Sequence, residues 1–241
     1  MKAPTATHPG TQSTAAQHEA VKTNAKPFGL RDKIGYMFGD LGNCFILGLV
    51  NSFLMIYYTN VLGIAGGVVG ILFLTARIID AFADVTVGRI ADTTALTSEG
   101  RFRPWIRRMK YPFCLITIIM FLPFMHSLPM SLKIVYIFIS YLVYGIFLSA
   151  INIPYGSMAS AISADPDHRA SLSTFRSLGS AIGGASTGFL IPIFMYAQAA
   201  DGRQVVSNMR FFIIAIVCSL LAFLSYNMTY KLTTERVQIQ K

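Results

Sequence analysis

The sequence predicts an all-α integral membrane protein of six transmembrane helices with both termini on the cytoplasmic side. Three observations carry that reading. First, 54% of the 241 residues are hydrophobic and only 13% are charged, with a mean hydropathy of +0.54, whereas a water-soluble domain carries about a quarter charged residues. Second, the apolar residues gather into six runs, at about 34–60, 68–90, 111–124, 132–153, 171–196 and 211–230, most of which reach the roughly 20 residues that a bilayer crossing needs. Third, the basic residues lie in the gaps with a strong bias. The N-terminal tail, the 92–108 loop with Arg101, Arg103, Arg107 and Arg108, Arg169 and the 231–241 tail fall on one side, leaving Lys133, Arg203 and Arg210 for the other. Dense short basic loops stay in the cytoplasm. The formal net charge of +9 is thus spent on orientation and anionic headgroups, and a nucleic-acid partner is excluded.

Taken in order, residues 1–30 are polar and rich in Ala, Thr and Gln, with no apolar signal-peptide core, and read as a disordered cytoplasmic tail. The transmembrane bundle occupies 31–230. Its first span opens on Gly35, Gly39 and Gly42 around an acid, Asp40, and glycines at that spacing let helices approach closely. The loop 62–67 is short and uncharged, which makes the second span an antiparallel neighbour of the first.

The second span holds the least expected residues. Asp80 and Asp84 stand four apart in an apolar run, on one helical face and about 6 Å apart along the axis. An aspartate at the bilayer centre costs roughly 2.5–3.5 kcal/mol even on lenient scales, so such a pair requires a cation, a proton, a watered cavity or a basic partner. The functional reading is a cation or proton site; the structural one is neutralisation by Arg77 or Arg176. In the fourth span Pro154 interrupts an apolar helix and frees a carbonyl about one turn earlier, which protein or water must meet. Asn152 beside it offers a buried carboxamide to a hydroxylated ligand. In the fifth span Arg176 faces inward, and Gly179, Gly183, Gly184 and Gly188 read as helix packing. Cys44, Cys114 and Cys218 lie in three different runs and read as small packing residues. His8, His18, His126 and His168 have no zinc spacing, and no hydrolase, phosphate-loop or metalloprotease motif occurs, so the chain does not read as an enzyme and needs no cofactor.

The runs KIGYMFGDLGNC, LFLTARIIDAFADVTVGRIADTT, RFRPW, NIPYGSM and DPDHRASLSTFRSLGS together resemble the glycoside-pentoside-hexuronide:cation symporters of the major facilitator superfamily, the family of the melibiose carrier. The five blocks are collinear from about Arg31 to Glu235. The resemblance implies a six-span bundle built as two inverted three-helix repeats, equivalent to one half of a twelve-span transporter, with 231–241 matching the start of the central linker. It implies that Asp80 and Asp84 bind the coupling H+ or Na+ with help from Ser149, and that they are metal ligands only if sodium is the ion. It implies that Cys44, Asn152 and Tyr155 line the sugar site and that Arg176 faces it, with Asp40 joining these substrate-binding candidates. Gly88 and Asp92 match the superfamily's loop signature and, with Arg101, are the gating candidates.

The departures are informative. The melibiose carrier has aspartates where this chain has Cys44 and Asn152, and a tryptophan where it has Gly156, so galactoside recognition does not carry over. It has an asparagine where this chain has Ala83 and a proline at Val85. A lost carboxamide removes an oxygen that a hard cation wants, which favours the proton. The expected function is cation-coupled symport of a sugar or glycoside across the cytoplasmic (inner) membrane, with a second six-span half or a second copy completing the cavity. The alternatives are a non-transporting membrane module and a carrier of an anionic sugar or amphipathic lipid.

Overall fold

The computed structural model describes residues 27–94, 96–97, 99–198 and 204–237; the sequence-predicted tail up to residue 26 and the final four residues lie outside the described part. Six long helices dominate: α1 (Leu30–Ile56), α2 (Gly66–Thr93), α3 (Phe102–Ile119), α4 (Met130–Ile162), α5 (Pro166–Met195) and α6 (Asn208–Leu232). A π-helical turn, Tyr57–Val61, extends α1, and a 3-10 turn, Pro123–Ser127, follows α3. Five segments, all but α2, are long and apolar enough to cross a membrane by length and composition. Between α5 and α6 lies a two-stranded hairpin, β1 (Tyr196–Gln198) and β2 (Gln204–Val206), paired antiparallel with Ala197 opposite Val205, which the hydropathy pattern does not predict.

The helices pack as an arc. α1 lies along α5 on one side and α6 on the other; α6 packs on α3, α3 on α4 and α4 on α2. α2 and α5 therefore form the two edges, and the inner sides of α1 and α4 face the gap between them. Away from the termini the arc is held by Tyr57, Phe121 and Phe211, whose ring centroids lie 4.9–5.9 Å apart. There Tyr57 OH donates to Asn208 Oδ1 at 3.0 Å while Asn208 Nδ2 donates to the Pro123 carbonyl at 2.9 Å.

Two helix boundaries depart from the hydropathy reading. The third helix begins at Phe102, not 111, because Arg103, Arg107 and Lys110 recur at helical spacing against α6. Arg103 Nη2 donates to the Tyr230 carbonyl at 2.7 Å, Arg107 Nη1 to Tyr230 OH at 2.8 Å, and buried Lys110 to Asn227 Oδ1. The basic loop predicted at 92–108 is correspondingly shorter. The fourth helix continues through Pro154 to Ile162, and the carbonyl that Pro154 frees, that of Ala150, accepts from Trp105 Nε1 of α3. A neighbouring helix thus satisfies the group that the proline orphans.

At the terminal end the segment after α6 is pinned across the bundle. Glu235 accepts from the backbone N–H groups of Arg101, Phe102 and Arg103 at 2.8, 2.9 and 2.7 Å, capping the N-terminus of α3, where the helix dipole favours an anion. Arg236 forms an ion pair with Asp32 of α1 at 2.8 Å, and the Arg236 and Val237 N–H groups both donate to the Ala161 carbonyl of α4. Gly100 has φ +105°, and a Cβ there would lie 2.5 Å from the Glu235 carboxylate. Glu235→Ala orphans three N–H groups at once and is expected to lower stability by about 1–3 kcal/mol in thermal unfolding in detergent. Burial pushes the Glu235 carboxyl up, against the opposing pull of those N–H bonds and of the Arg103 charge. The folded state therefore holds this proton more tightly than the unfolded one. Its contribution is full below the ordinary Glu range and is lost as pH rises through the raised value, a dependence that Glu235→Ala removes.

Candidate functional site

The polar residues inside the arc form two groups that share α4. In the first, α2 and α4 meet in matched four-residue steps, Asp80 and Asp84 against Gly145 and Ser149. The Ser149 hydroxyl lies between Asp84 Oδ1 and the Gly145 carbonyl, to which it is 3.1 Å away. Asp80 rests on Gly145, where any Cβ would overlap Oδ1. That oxygen is buried and has no hydrogen-bond partner, while the residue as a whole is half-buried, so the desolvation cost falls on one oxygen of the carboxylate. Asp84, by contrast, is exposed. Among the described residues no arginine lies within ion-pairing distance of either acid. Arg77, one turn before Asp80, is exposed and acts on it by charge alone, and Arg176 is engaged elsewhere.

The second group joins α1, α4 and α5. Arg176, the eleventh residue of α5 and so about 15 Å along it, donates from Nε to Asp40 Oδ1 at 3.1 Å. Asp40 is 8% exposed while the Arg176 side chain is 41% exposed, so removing the guanidinium strands the buried carboxylate whereas removing the carboxylate leaves a solvated arginine. The guanidinium lies 5.3 Å from the Tyr155 ring centroid. Tyr155 stacks on Tyr36 at 4.6 Å and donates to the Tyr36 carbonyl at 2.6 Å, in a space that exists because residue 39 is glycine. Three and four residues beyond Asp40, on the same face of α1, come Asn43 and Cys44. Asn43 Nδ2 donates to Asn152 Oδ1 at 3.1 Å while Asn43 Oδ1 accepts from Tyr226 OH at 2.6 Å. Cys44 Sγ lies 3.4 Å from Ser180 Oγ.

The structure thus brings together Asp80, Asp84 and Ser149, and separately Asp40, Cys44, Asn152, Tyr155 and Arg176. The three gating candidates lie at the end of α2 and the start of α3. Gly88 and Asp92 lie in the last turns of α2, with nothing close enough to Gly88 to demand glycine, while Arg101 belongs to the Glu235 junction. Sequence reasoning missed Gly145, Asn43, Tyr226 and Glu235. Gly145 carried a signal, a small residue one turn before Ser149, and Asn43 lies one turn beyond Asp40. Tyr226 and Glu235 carried none, because both act across more than 130 residues. Among the described residues no group of three or more His, Cys, Asp or Glu could hold a metal ion.

Five helices long and apolar enough to cross a membrane, packed with α2 into one bundle that carries acids and an arginine on its spans, define a polytopic membrane protein. The chain belongs to the MFS/sugar transport protein family, whose pattern matches residues 35–241. It is 31% identical over 207 residues to the glucuronide carrier protein homolog of Escherichia coli (strain K12), covering 86% of this chain and 44% of that protein. It is 30% identical over 221 residues to the uncharacterized symporter YnaJ of Bacillus subtilis (strain 168), covering 90% and 46%. It is 29% identical over 231 residues to the isoprimeverose transporter of Lactiplantibacillus pentosus, covering 95% and 46%. These relatives are membrane transporters, not enzymes, and this chain spans less than half the length of each.

Proposed function

We propose that this chain forms the first six-span half of a cation-coupled sugar or glycoside symporter. α1–α3 and α4–α6 are the two inverted three-helix repeats, both termini face the cytoplasm, and the site is completed by a second six-span half or a second copy. The observation that carries the proposal is Asp80 Oδ1, buried without a partner on Gly145 and one turn from the Asp84–Ser149 pair. A carboxylate in that position resists the closed, dehydrated state until its charge is removed. Binding of H+ or Na+ discharges the pair. α4 then transmits the change directly, because Ser149, Asn152 and Tyr155 succeed one another at one-turn steps on the helix that also borders the second group. The donor set is two carboxylates and one hydroxyl, with an apolar Ala83 between them, which suits a proton better than sodium.

The edges of the arc are where a partner would dock, although α3, α4 and α6 expose apolar residues as well. α2 exposes Ile71, Leu74, Ile78, Phe82 and Val85, and α5 exposes Leu178, Ile182, Phe189 and Ile193, two apolar stripes flanking the open cleft. The test is uptake in proteoliposomes holding this chain with its second half, or this chain alone as a dimer. Accumulation of a labelled glycoside driven by an imposed H+ or Na+ gradient supports the reading, and accumulation indifferent to both gradients refutes it. Arg176 favours a second substrate class, since a guanidinium suits the carboxylate of an acidic sugar, and one relative is named for a glucuronide. Competition between neutral and acidic glycosides separates the two classes.

A further inference from the structure

A cavity of about 440 Å³ lies between α5, α6 and the flank of α1, within the size range of small-molecule sites but lined by none of the residues of the two polar groups. We infer that it holds one acyl chain of an anionic phospholipid, with the phosphate at Arg210. The inference rests on the chain being membrane-embedded and not on what it transports.

The lining excludes a sugar. Phe45, Leu190, Phe194, Ile214 and Val217 supply apolar walls, and the two hydroxyls present are already engaged. Ser186 Oγ donates to the Ile182 carbonyl at 2.7 Å, and Thr187 Oγ1 to the Gly183 carbonyl at 2.9 Å. The cleft also has the length of one leaflet. Its wall on α6 runs from Arg210 to Leu221, about 16 Å of helix, or half of the about 30 Å hydrocarbon core. It exists because α5 and α6 each pack closely on α1 but touch one another little.

The charge sits at one end. Arg210, exposed in the first turn of α6, donates to the Tyr196 carbonyl at the base of the hairpin, and a guanidinium has five N–H donors to share. The helix begins there without a side-chain cap at Ser207, so the positive end of its dipole adds to the same spot. Phosphate at this end and hydrocarbon below match a phospholipid in the leaflet opposite the chain termini.

The test is native mass spectrometry of the purified full chain released from detergent and titrated with palmitoyl-oleoyl phosphatidylglycerol or the corresponding phosphatidylcholine. One phosphatidylglycerol is expected to be retained with a preference on the order of fivefold, the worth of one cationic side chain at an anionic surface. Arg210→Gln should erase the preference, Arg210→Lys should keep it, and Val217→Trp should lower retention of both lipids by filling the cleft. Added inorganic phosphate should not compete, since the acyl chain carries the placement. Equal retention of the two lipids by the unmodified chain overturns the headgroup assignment. Unchanged retention by Val217→Trp overturns the cleft, as does a Val217→Trp variant that loses assembly with a second half while keeping its lipid. Apart from that loss of assembly, these outcomes leave gradient-driven uptake, the measure of the transport proposal, untouched.

Discussion

Asp80→Asn is expected to abolish uphill, gradient-driven accumulation while leaving downhill exchange of substrate. The amide has the shape of the protonated acid, so it fits against Gly145 and fills the same buried space. It cannot ionise, and the site is held permanently in its discharged form. A carrier locked that way still closes and reopens around substrate, but no ion gradient is tied to the cycle. Accumulation ratios should fall to the equilibrium value of one, a loss set by the size of the imposed gradient. Because the carboxylate oxygen has no partner to lose, the substitution should not destabilise the fold. Membrane abundance and thermal unfolding should match the unmodified chain, which separates lost coupling from lost protein. Full coupled accumulation in this variant would show that Asp80 is a structural acid.

Gly179→Ala is expected to act on both packing and site. Gly179 lies against the backbone carbonyl of Met37, and an added methyl would overlap that oxygen, with Met37 Cγ at 3.1 Å as the next obstacle. A flexible side chain could swing aside; a helix backbone cannot, so α1 and α5 must separate. Overpacking of this kind costs about 1–3 kcal/mol. The functional consequence follows from position. Arg176 is one turn before Gly179 on α5 and Asp40 one turn after Met37 on α1, so the close approach at the glycine is what allows the 3.1 Å pairing. Lower thermal stability together with weaker substrate affinity is the expected result. Unchanged stability would mean that the helices have slack at this crossing.

What the sequence revealed depended on how local the determining forces were. The apolar runs and the basic bias located the helices because the bilayer acts on each segment separately. The Asp80–Asp84 spacing singled out α2 for the same reason. Pro154 announced a freed carbonyl, and the structure supplied its partner, but nothing in the chain marked Trp105 as the donor. The early start of α3 escaped a hydropathy reading because Arg103, Arg107 and Lys110 look like loop residues until α6 is alongside to receive them. Glu235 is the clearest failure. Read along the chain it is one charge in a basic tail, and only the folded bundle brings it to the start of a helix 133 residues away.

The indole of Trp105 donates to the carbonyl left open by Pro154, and it is the chain's single tryptophan. That coincidence gives the molecule an optical probe beside the proline of the helix that carries Ser149, Asn152 and Tyr155. Intrinsic emission therefore reports on one bond between α3 and α4, free of other indoles. A rearrangement of α4 on binding of the proposed ion or sugar would be followed in unlabelled protein, in real time, from the colour of its own fluorescence.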